Sequence, residues 1–508
     1  MTARARLASA AMSTLLSACA TAPLPAPETD GAGPVSAHSP TRSPAPTWTR
    51  SPVPDALASV TAQPAKVTDA NLSNGLRVVI VEQHQRPLVS IRLVLPQGTT
   101  FDEEEKAGRT YLSLMLASDF REKSADGRDL SDEKSFRTLV AEAGGAASFS
   151  AEHDACQAGI SGYATDAATY LKLLAGAVTS PRHGAESLSH RRMSALDGLE
   201  DLEVSDPETL GMFLAQAAFG VGHPYSLPIV GTTSSLKSLS GEEVFARQAQ
   251  LFVPRGATLV VVGDVVPAKV LPAIRTAFGG WRGPAQKASV PVPPPPSVPT
   301  RRPETSFIRR QPAKTLVACA SRPLSDLRGS RAALELLTAI LGDGVSSRLS
   351  VGLREAGGVA YAVDATILQR RHAQAFMSCA WLNAAQSERS LHAFRDALSS
   401  VGEHGATEQE LVRAKAVHLA RLASEADTAQ GLSASWVEAL SLGQARPPTL
   451  EERRAAVEAV TLEEIQRLAK KLLAPESVRW ILSGEPEPAL KAVEAAQLGK
   501  LRPVTFLR

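Results

Sequence analysis

Few side chains in this sequence are spaced so that they could bind a metal together. The nearest pair of histidines, His183 and His190, is seven residues apart. Zinc-binding histidines that share one helix face lie four residues apart, with a glutamate between them that activates water. His183 and His190 have neither that spacing nor a suitably placed glutamate. Histidine spacing therefore predicts no metal site in this chain.

The other polar clusters are interpreted as structural. His153 lies between the alternating runs Ala147–Ala151 and Ala155–Tyr163, which predict a hairpin, so we expect its side chain to be exposed at the turn. The segment His223–Tyr225 is predicted to be a structural loop. The acidic run Asp102–Glu105 precedes a short helical pattern, and we expect these carboxylates to be solvated near the positive end of the helix dipole.

The N-terminus has the pattern of a targeting segment. Arg4 and Arg6 precede a short apolar stretch, Leu7–Leu16, and the sequence Leu-Ser-Ala before Cys19 resembles the lipobox of bacterial lipoproteins. That resemblance implies acylation of Cys19 and a lipid anchor in the cell envelope of a Gram-negative bacterium, at the outer membrane facing the periplasm. The alternative is an ordinary signal peptide with an incidental cysteine.

Three cysteines remain if Cys19 is lipidated: Cys156, Cys319 and Cys379. Their number is odd, their spacings match no metal site, and each lies in an apolar, alternating stretch. We therefore predict that they are small buried hydrophobic residues rather than disulfide partners.

Composition and charge favour a globular protein that does not bind nucleic acid. A net charge of +2 over 508 residues, with no Lys/Arg-rich block, gives no footprint for nucleic acid. A hydrophobic fraction of 44% is typical of globular proteins, and the length suffices for two to four domains. Hairpins and helices are mixed rather than arranged as βαβ units, which predicts an α+β fold.

Two proline-rich stretches divide the chain. Such stretches cannot bury a core, and the consecutive prolines Pro293–Pro296 favour a stiff, extended spacer. The predicted organisation is, in chain order, a lipoprotein signal peptide at 1–19, a stalk at 20–62, an N-terminal domain at 63–281, a linker at 282–304, a C-terminal domain at 305–490 and a tail at 491–508.

The two predicted domains carry an internal repeat. Ser240–Val244 recurs 221 residues later as Thr461–Ile465, and each segment has the pattern of a capping box at a helix start. The same offset continues without a gap through the following turn and strand. The strand Leu88–Leu95 is expected to have its counterpart in Thr315–Ala320. A match that spans helix, turn and strand indicates a duplication.

Four segments resemble the insulinase/pitrilysin-type metallopeptidases, the inverted zincins, and especially their mitochondrial-processing-peptidase-like bacterial branch. They are Leu72–Val79, His223–Gly231, Val253–Val265 and Leu353–Val363, in the order that the family has them. The resemblance implies two homologous α+β domains, each with an antiparallel-rich sheet covered by helices. It also implies that the domains form a clam-like chamber around an extended peptide.

The zinc motif of this family is degenerate in the chain. Active members carry H-x-x-E-H on the first helix of the N-terminal half, where this sequence has Tyr111, Leu114 and Met115. A shift of one residue offers Thr110, Ser113 and Leu114, so neither register supplies a zinc ligand. We expect no cofactor in this chain. The region of the family's distant carboxylate holds four acidic residues that we predict to be solvated: Asp197, Glu200, Asp201 and Glu203.

The resemblance implies a role for two residues of the C-terminal half. In active relatives an arginine and a tyrosine reach the scissile peptide, and Arg354 and Tyr361 match that pair. A guanidinium and a phenol can donate hydrogen bonds to a carbonyl oxygen as it gains negative charge. The residues alone leave a structural alternative, in which Arg354 is a surface helix residue and Tyr361 begins a strand.

The preferred functional hypothesis is a zinc-free subunit that pairs with a zinc-bearing homologue. Arg354 and Tyr361 would then act in trans on an extended peptide, and the chain alone would be inactive because it lacks H-x-x-E-H. One alternative is a non-enzymatic peptide-binding or scaffold lipoprotein of the cell envelope. A stand-alone zinc metalloendopeptidase is the third and least favoured reading.

Overall fold

A computed structural model describes residues 66–119, 135–179, 186–204, 217–220, 222–283, 291–296, 305–310, 314–325, 330–474 and 478–503. The predicted signal peptide, Cys19 and the predicted stalk lie outside these residues, as does His183. Within the described stretches, no helix has both the length and the apolar character needed to cross a membrane.

The N-terminal half is built on one mixed sheet. Its strands are β1 (Lys66–Asn71), β2 (Arg77–Glu82), β3 (Leu88–Leu95), β4 (Ala146–Ala151), β5 (Cys156–Tyr163) and β6 (Thr258–Gly263). They lie in the order β1-β2-β6-β3-β5-β4, and all neighbours are antiparallel except β2 and β6. The predicted first hairpin is confirmed, with Gly75 at a φ of +88° in its turn.

The C-terminal half repeats this arrangement. Its strands are β7 (Thr305–Arg309), β8 (Thr315–Pro323), β9 (Ala360–Gln369), β10 (Gln374–Asn383), β11 (Arg479–Gly484) and β12 (Leu501–Pro503). They lie in the order β12-β7-β11-β8-β10-β9. The last five positions match those of the first sheet, including the parallel pair β7–β11. The predicted α+β class and duplication are therefore confirmed, with β8 as the counterpart of β3.

Each half also contributes seven of the α-helices that the structure describes. In the N-terminal half they are α1 (Arg109–Ala117), α2 (Phe136–Glu142), α3 (Ala167–Thr179), α4 (Ser187–Val204), α5 (Thr233–Ser238), α6 (Gly241–Leu251) and α7 (Pro267–Phe278). In the C-terminal half they are α8 (Arg331–Gly342), α9 (Ser387–His404), α10 (Glu408–Ala426), α11 (Ala429–Ser441), α12 (Leu450–Ala459), α13 (Leu462–Leu472) and α14 (Pro486–Ala495).

The repeated capping boxes differ in the structure. Ser240 and Glu243 form the complete reciprocal box at the start of α6. At α13, Thr461 accepts from the Glu464 N–H, but the Glu464 carboxylate accepts from the Ser330 N–H at 3.1 Å instead of closing the box. The prediction of two complete boxes is wrong at the second position because Ser330, at the start of α8, offers a competing donor.

Two of the three cysteines form a disulfide, which corrects the prediction that none would. Cys319 on β8 lies directly opposite Cys379 on β10, and their sulfur atoms are bonded. The pairing register brings together two residues that are 60 positions apart, and sequence spacing carries no information about register. Cys156 is a buried free thiol, as predicted, and burial raises its pKa to about 12.

The sheet of the N-terminal half is covered on both faces. Its helix side packs on α2, α3 and α7 through residues such as Ile91 and Leu171. We call the opposite side the inner face; it bears Val79, Val260 and Val262, which are buried under Trp436 of α11. A helix from the C-terminal half therefore completes the core of the N-terminal half.

Residues 491–503 belong to the fold, so the predicted tail from residue 491 begins too early. Helix α14 continues to Ala495, and Ala492 and Val493 are buried in the C-terminal core. Strand β12 then pairs in parallel with β7. The apolar side chains of this segment are therefore buried against the domain, whereas those of a solvated tail would be exposed.

Candidate functional site

Helix α1 packs as a structural helix at the positions of the family's zinc motif. Leu114 is fully buried and Met115 is 6% exposed, both against the core on the helix side of the sheet, while Tyr111 is half-buried. In the shifted register, the Ser113 hydroxyl donates to the backbone carbonyls of Arg109 and Val244. These side chains are engaged in packing and backbone hydrogen bonds.

The start of α1 is fixed by a close backbone contact. Gly108 has a φ of +89°, and a Cβ there would lie 2.3 Å from the Val230 carbonyl oxygen. Gly231 faces it with a φ of +97°. Only glycines permit this approach, so the His223–Gly231 segment of the family resemblance positions helix α1.

A buried polar network surrounds the first turn of α1. The Asp102 carboxylate accepts from the Thr110 N–H at 2.9 Å and from the Thr110 hydroxyl at 2.7 Å. The Arg247 guanidinium donates to the Thr110 hydroxyl oxygen at 2.9 Å and to the Gln97 side-chain oxygen at 2.8 Å. Burial raises the pKa of Asp102, against the opposing effect of its hydrogen bonds from Thr110.

Asp102 therefore corrects the prediction that the whole acidic run is solvated. Glu103, Glu104 and Glu105 are exposed as predicted, but Asp102 is only 6% exposed. It accepts from a free N–H at the start of α1, where a carboxylate also suits the helix dipole.

Helix α4, where the family places its distant carboxylate, is joined to α1 without metal ligands. Leu112 and Leu116 of α1 pack against Ala195 and Leu199 of α4. Arg191 of α4 donates to the Asp119 carboxylate, just beyond α1, at 2.7 Å. Asp197 and Glu200 are exposed as predicted, whereas the side chains of Asp201 and Glu203 lie outside the described residues.

The residues at this position do not fit a zinc ion. A phenol, an isobutyl group and a thioether replace the two imidazoles and the carboxylate, and the aliphatic and thioether groups are buried in apolar core. Across the described stretches, no group of three or more His, Cys, Asp or Glu side chains is arranged to hold a metal. We derive no chemical step through zinc bound to this chain.

Arg354 and Tyr361 lie on the surface of the C-terminal half. Arg354 is in a short π-helix, Ser350–Glu355, and Tyr361 is the second residue of the edge strand β9. The Arg354 side chain is 53% exposed, with its Nε 3.7 Å from the Glu355 carboxylate, and Tyr361 is 81% exposed. Leu353 and Val359 are both 1% exposed. These buried neighbours hold the backbone while Arg354 and Tyr361 face solvent.

An ion pair anchors the segment that leads to Arg354. The Arg348 guanidinium donates to both carboxylate oxygens of Glu410, at 2.6 and 2.7 Å. Glu410 also accepts from the N–H and hydroxyl of Thr407 at the start of α10. Burial tends to raise the pKa of Glu410, but the hydrogen bonds from Arg348 and Thr407 outweigh it and lower the pKa to about 2.

We expect Glu410→Gln to lower the free energy of unfolding at pH 7 by about 2–3 kcal/mol. A folded-state pKa below the ordinary value of 4.5 gives stability that is present above pH 4.5 and is lost as the pH falls through about 2. The difference between wild type and variant should therefore shrink over that interval in urea titrations. Glu408→Gln, an exposed change on the same helix, is the control. A difference that stays constant with pH would contradict the prediction.

Sequence reasoning missed a junction between the two halves. The Asp154 carboxylate accepts from the Tyr225 hydroxyl at 2.7 Å and from the Arg371 N–H of the C-terminal half at 2.8 Å. The Tyr225 hydroxyl in turn accepts from the His372 N–H at 3.3 Å. The predicted structural role of His223–Tyr225 fits this arrangement. The available signal was the acidic residue Asp154 directly after the predicted turn residue His153. The partners of Asp154, Tyr225 and Arg371, are distant in sequence, so the junction could not be predicted.

His153 corrects the prediction of an exposed turn residue. It is fully buried, with Nε2 3.2 Å from the Leu227 carbonyl oxygen and its ring edge-on to Tyr225. Burial lowers the pKa of His153 well below 6.5, and the nearby Arg370 acts in the same direction. The ring is therefore neutral at physiological pH, and its contacts are with the junction.

Comparisons with known proteins agree with this fold. A sequence model of the Peptidase M16 inactive domain matches residues 238–417. An uncharacterized zinc protease of Mycobacterium leprae is 25% identical over 311 residues, which are 59% of this chain and 67% of that protein.

Two solved structures show the same fold. A protease from Helicobacter pylori aligns with a TM-score of 0.71 and 18% identity, over 83% of this chain and 100% of that one. A peptidase M16 inactive domain from Pseudomonas fluorescens aligns with a TM-score of 0.70 and 21% identity, over 87% of this chain and 100% of that one. The comparisons confirm the predicted relationship to the insulinase-type, or M16, peptidases, and helix α1 lacks the zinc motif of that family's active members.

Proposed function

We propose that this chain is a zinc-free subunit that pairs with a zinc-bearing homologue and contributes Arg354 and Tyr361 to peptide hydrolysis. One observation carries the proposal. The metal-motif positions of α1 hold packed side chains that cannot bind zinc, while Arg354 and Tyr361 are held on buried neighbours and are open to solvent. In this proposal the chain lacks the metal-binding part of the family's machinery and supplies the substrate-binding part.

In this proposal the chain binds the substrate and stabilises the negative charge that develops on the scissile carbonyl oxygen. The partner would supply the zinc-activated water. The guanidinium of Arg354 and the phenol of Tyr361 would donate hydrogen bonds to the scissile carbonyl oxygen, whose negative charge grows as water attacks. Both groups can donate hydrogen bonds, and the guanidinium offers several N–H donors in one plane.

An extended peptide has a suitable place to bind in the N-terminal half. Strand β4 pairs only with β5, so its other edge leaves backbone N–H and C=O groups free among the described residues. The strand sequence AASFSA contains no proline or charged residue that would block pairing. Addition of a peptide strand to such an edge is a common mode of peptide recognition.

Co-expression with a family member that carries H-x-x-E-H tests the pairing. The proposal expects a stable complex that hydrolyses peptides, with zinc bound by the partner. If the two proteins fail to copurify, the pairing is wrong. Zinc at one ion per molecule in the separately purified chain would instead support a stand-alone metalloendopeptidase.

The alternative is a non-enzymatic peptide-binding or scaffold protein of the envelope. Arg354 is exposed and its Nε lies 3.7 Å from the Glu355 carboxylate, which suits an ordinary surface residue equally well. In that case the chain would copurify with an envelope assembly, and changes at Arg354 and Tyr361 would leave proteolysis unaltered.

We further propose that the chain is lipid-anchored through Cys19 and faces the periplasm. The Cys319–Cys379 disulfide supports export, because disulfides persist in oxidising compartments. We expect Cys19→Ser to move the protein from the membrane fraction to the soluble fraction when cells are fractionated, with Cys156→Ser as the control. Retention of the Cys19 variant in the membrane fraction would contradict the anchor.

A further inference from the structure

A buried arginine on the inner face lacks a counter-charge. Arg92 of β3 is 9% exposed, and its guanidinium donates to the Ser148 hydroxyl, to the Ser161 hydroxyl at 3.3 Å and to the Gln430 side-chain oxygen at 3.2 Å. All three partners are neutral, and no carboxylate within the described residues forms an ion pair with it. Burial lowers the pKa of Arg92. Buried charges are ordinarily paired, so this arrangement is costly unless a further group supplies the charge.

A glycine lets this arginine reach the edge of the sheet. Arg92 on β3, Gly159 on β5 and Ser148 on β4 lie side by side in the register. A Cβ at Gly159 would lie 2.7 Å from the Arg92 Cδ and 2.9 Å from its Nη1. The arginine side chain therefore crosses the middle strand over the glycine, and its charged end lies at the edge strand β4.

The inner-face side of β4 leaves room beside the guanidinium. Because side chains alternate along a strand, Ala146, Ser148 and Ser150 share this face, and all three are small. A peptide strand added to β4 would lie about 4.8 Å beyond it. Its side chain opposite Ser148 would point along the same face toward the end of Arg92.

We propose that Arg92 binds the carboxylate of an aspartate or glutamate side chain opposite Ser148 in a peptide strand added to β4. The proposal rests on the peptide-binding part of the proposed function, but not on zinc or on the pairing of subunits. A guanidinium and a carboxylate form the strongest hydrogen-bonded ion pairs, often through two bonds. The substrate class is therefore an extended peptide with an acidic residue at this position.

The preference is for one acidic residue rather than an acidic run. The Ser150 hydroxyl, two positions along the same face, donates to the Glu152 carboxylate at 2.8 Å. A second acidic side chain in the peptide, opposite Ser150, would lie close to the Glu152 carboxylate. Two negative charges at short distance repel each other.

Binding of two fluorescent peptides to the full chain tests the proposal. Both are seven-residue peptides of alternating threonine and valine, with either glutamate or glutamine at the central position. We expect the glutamate peptide to bind about 10-fold more tightly by fluorescence anisotropy, a ratio that corresponds to about 1.4 kcal/mol. Arg92→Gln should remove the difference without weakening the glutamine peptide.

A second pair of variants leaves Arg92 in place. Ser148→Asp supplies the missing carboxylate from the chain itself and should abolish the preference for glutamate, whereas Ser148→Asn should retain it. Equal binding of the two peptides by wild type, or a preference for glutamate that survives in Arg92→Gln, would overturn the proposed role of Arg92. The peptide-binding part of the proposed function would still stand. If neither peptide binds wild type, the peptide-binding part of the proposed function fails with it.

Discussion

Arg354→Ala is expected to lower peptide hydrolysis by the two-subunit complex about 100-fold, mainly in kcat. Removal of one donor to a developing oxyanion typically has an effect of this size, because the lost hydrogen bond stabilises the transition state more than the ground state. Among the described residues the guanidinium pairs with Glu355 alone, at 3.7 Å, and the side chain is 53% exposed, so its loss should leave the fold intact. Steady-state kinetics of the copurified complex measure the effect.

Three controls separate this role from a general effect on the complex. Arg354→Lys keeps the charge but not the planar fork of donors, so it should recover only part of the activity. Tyr361→Phe removes the second donor alone and should also lower kcat. Arg389→Ala, an exposed change on α9, should have no effect. Unchanged hydrolysis by Arg354→Ala would favour the scaffold alternative.

Asp102→Ala is expected to lower the free energy of unfolding by about 3–5 kcal/mol. The change leaves the Thr110 N–H without its acceptor and leaves the buried Arg247 facing a neutral network. Removal of one partner from a buried charged network is costly because the remaining charge stays buried without compensation. Urea denaturation followed by circular dichroism measures the loss.

Asp102→Asn and Glu104→Ala are the matched controls. Asparagine keeps one oxygen acceptor and loses the charge, so its effect should be intermediate. Glu104 is exposed on the same acidic run and should change stability by less than about 0.5 kcal/mol. If Asp102→Ala were as mild as Glu104→Ala, the buried network could not be what stabilises the start of α1.

The repeated framework could be predicted from the sequence because its signals are local. Capping residues, strand patterns and the constant offset between Ser240 and Thr461 lie within short segments, and the strand orders of the two sheets confirm them. The degenerate metal positions could also be predicted, since Tyr111, Leu114 and Met115 lack the necessary donor atoms whatever surrounds them.

The errors have a common physical cause in long-range contacts. His153 is buried because the Leu227 loop and residues of the other half cover its turn. Asp102 is buried because Arg247 and Thr110 close over it. Cys319 and Cys379 pair through strand register, and Glu464 leaves its own helix start for Ser330. Each of these results depends on residues that are distant in the sequence, or on tertiary packing that the local sequence pattern does not encode.

The peptidase activity of a reconstituted complex tests the central claim most directly. The purified chain is added in increasing amounts to a zinc-bearing homologue, and hydrolysis of a fluorogenic peptide is followed. The account predicts that activity rises until the two proteins are equimolar, and that the Arg354→Ala chain binds equally well but restores about one hundredth of the rate. Full activity of the homologue without this chain, or full restoration by Arg354→Ala, would contradict it.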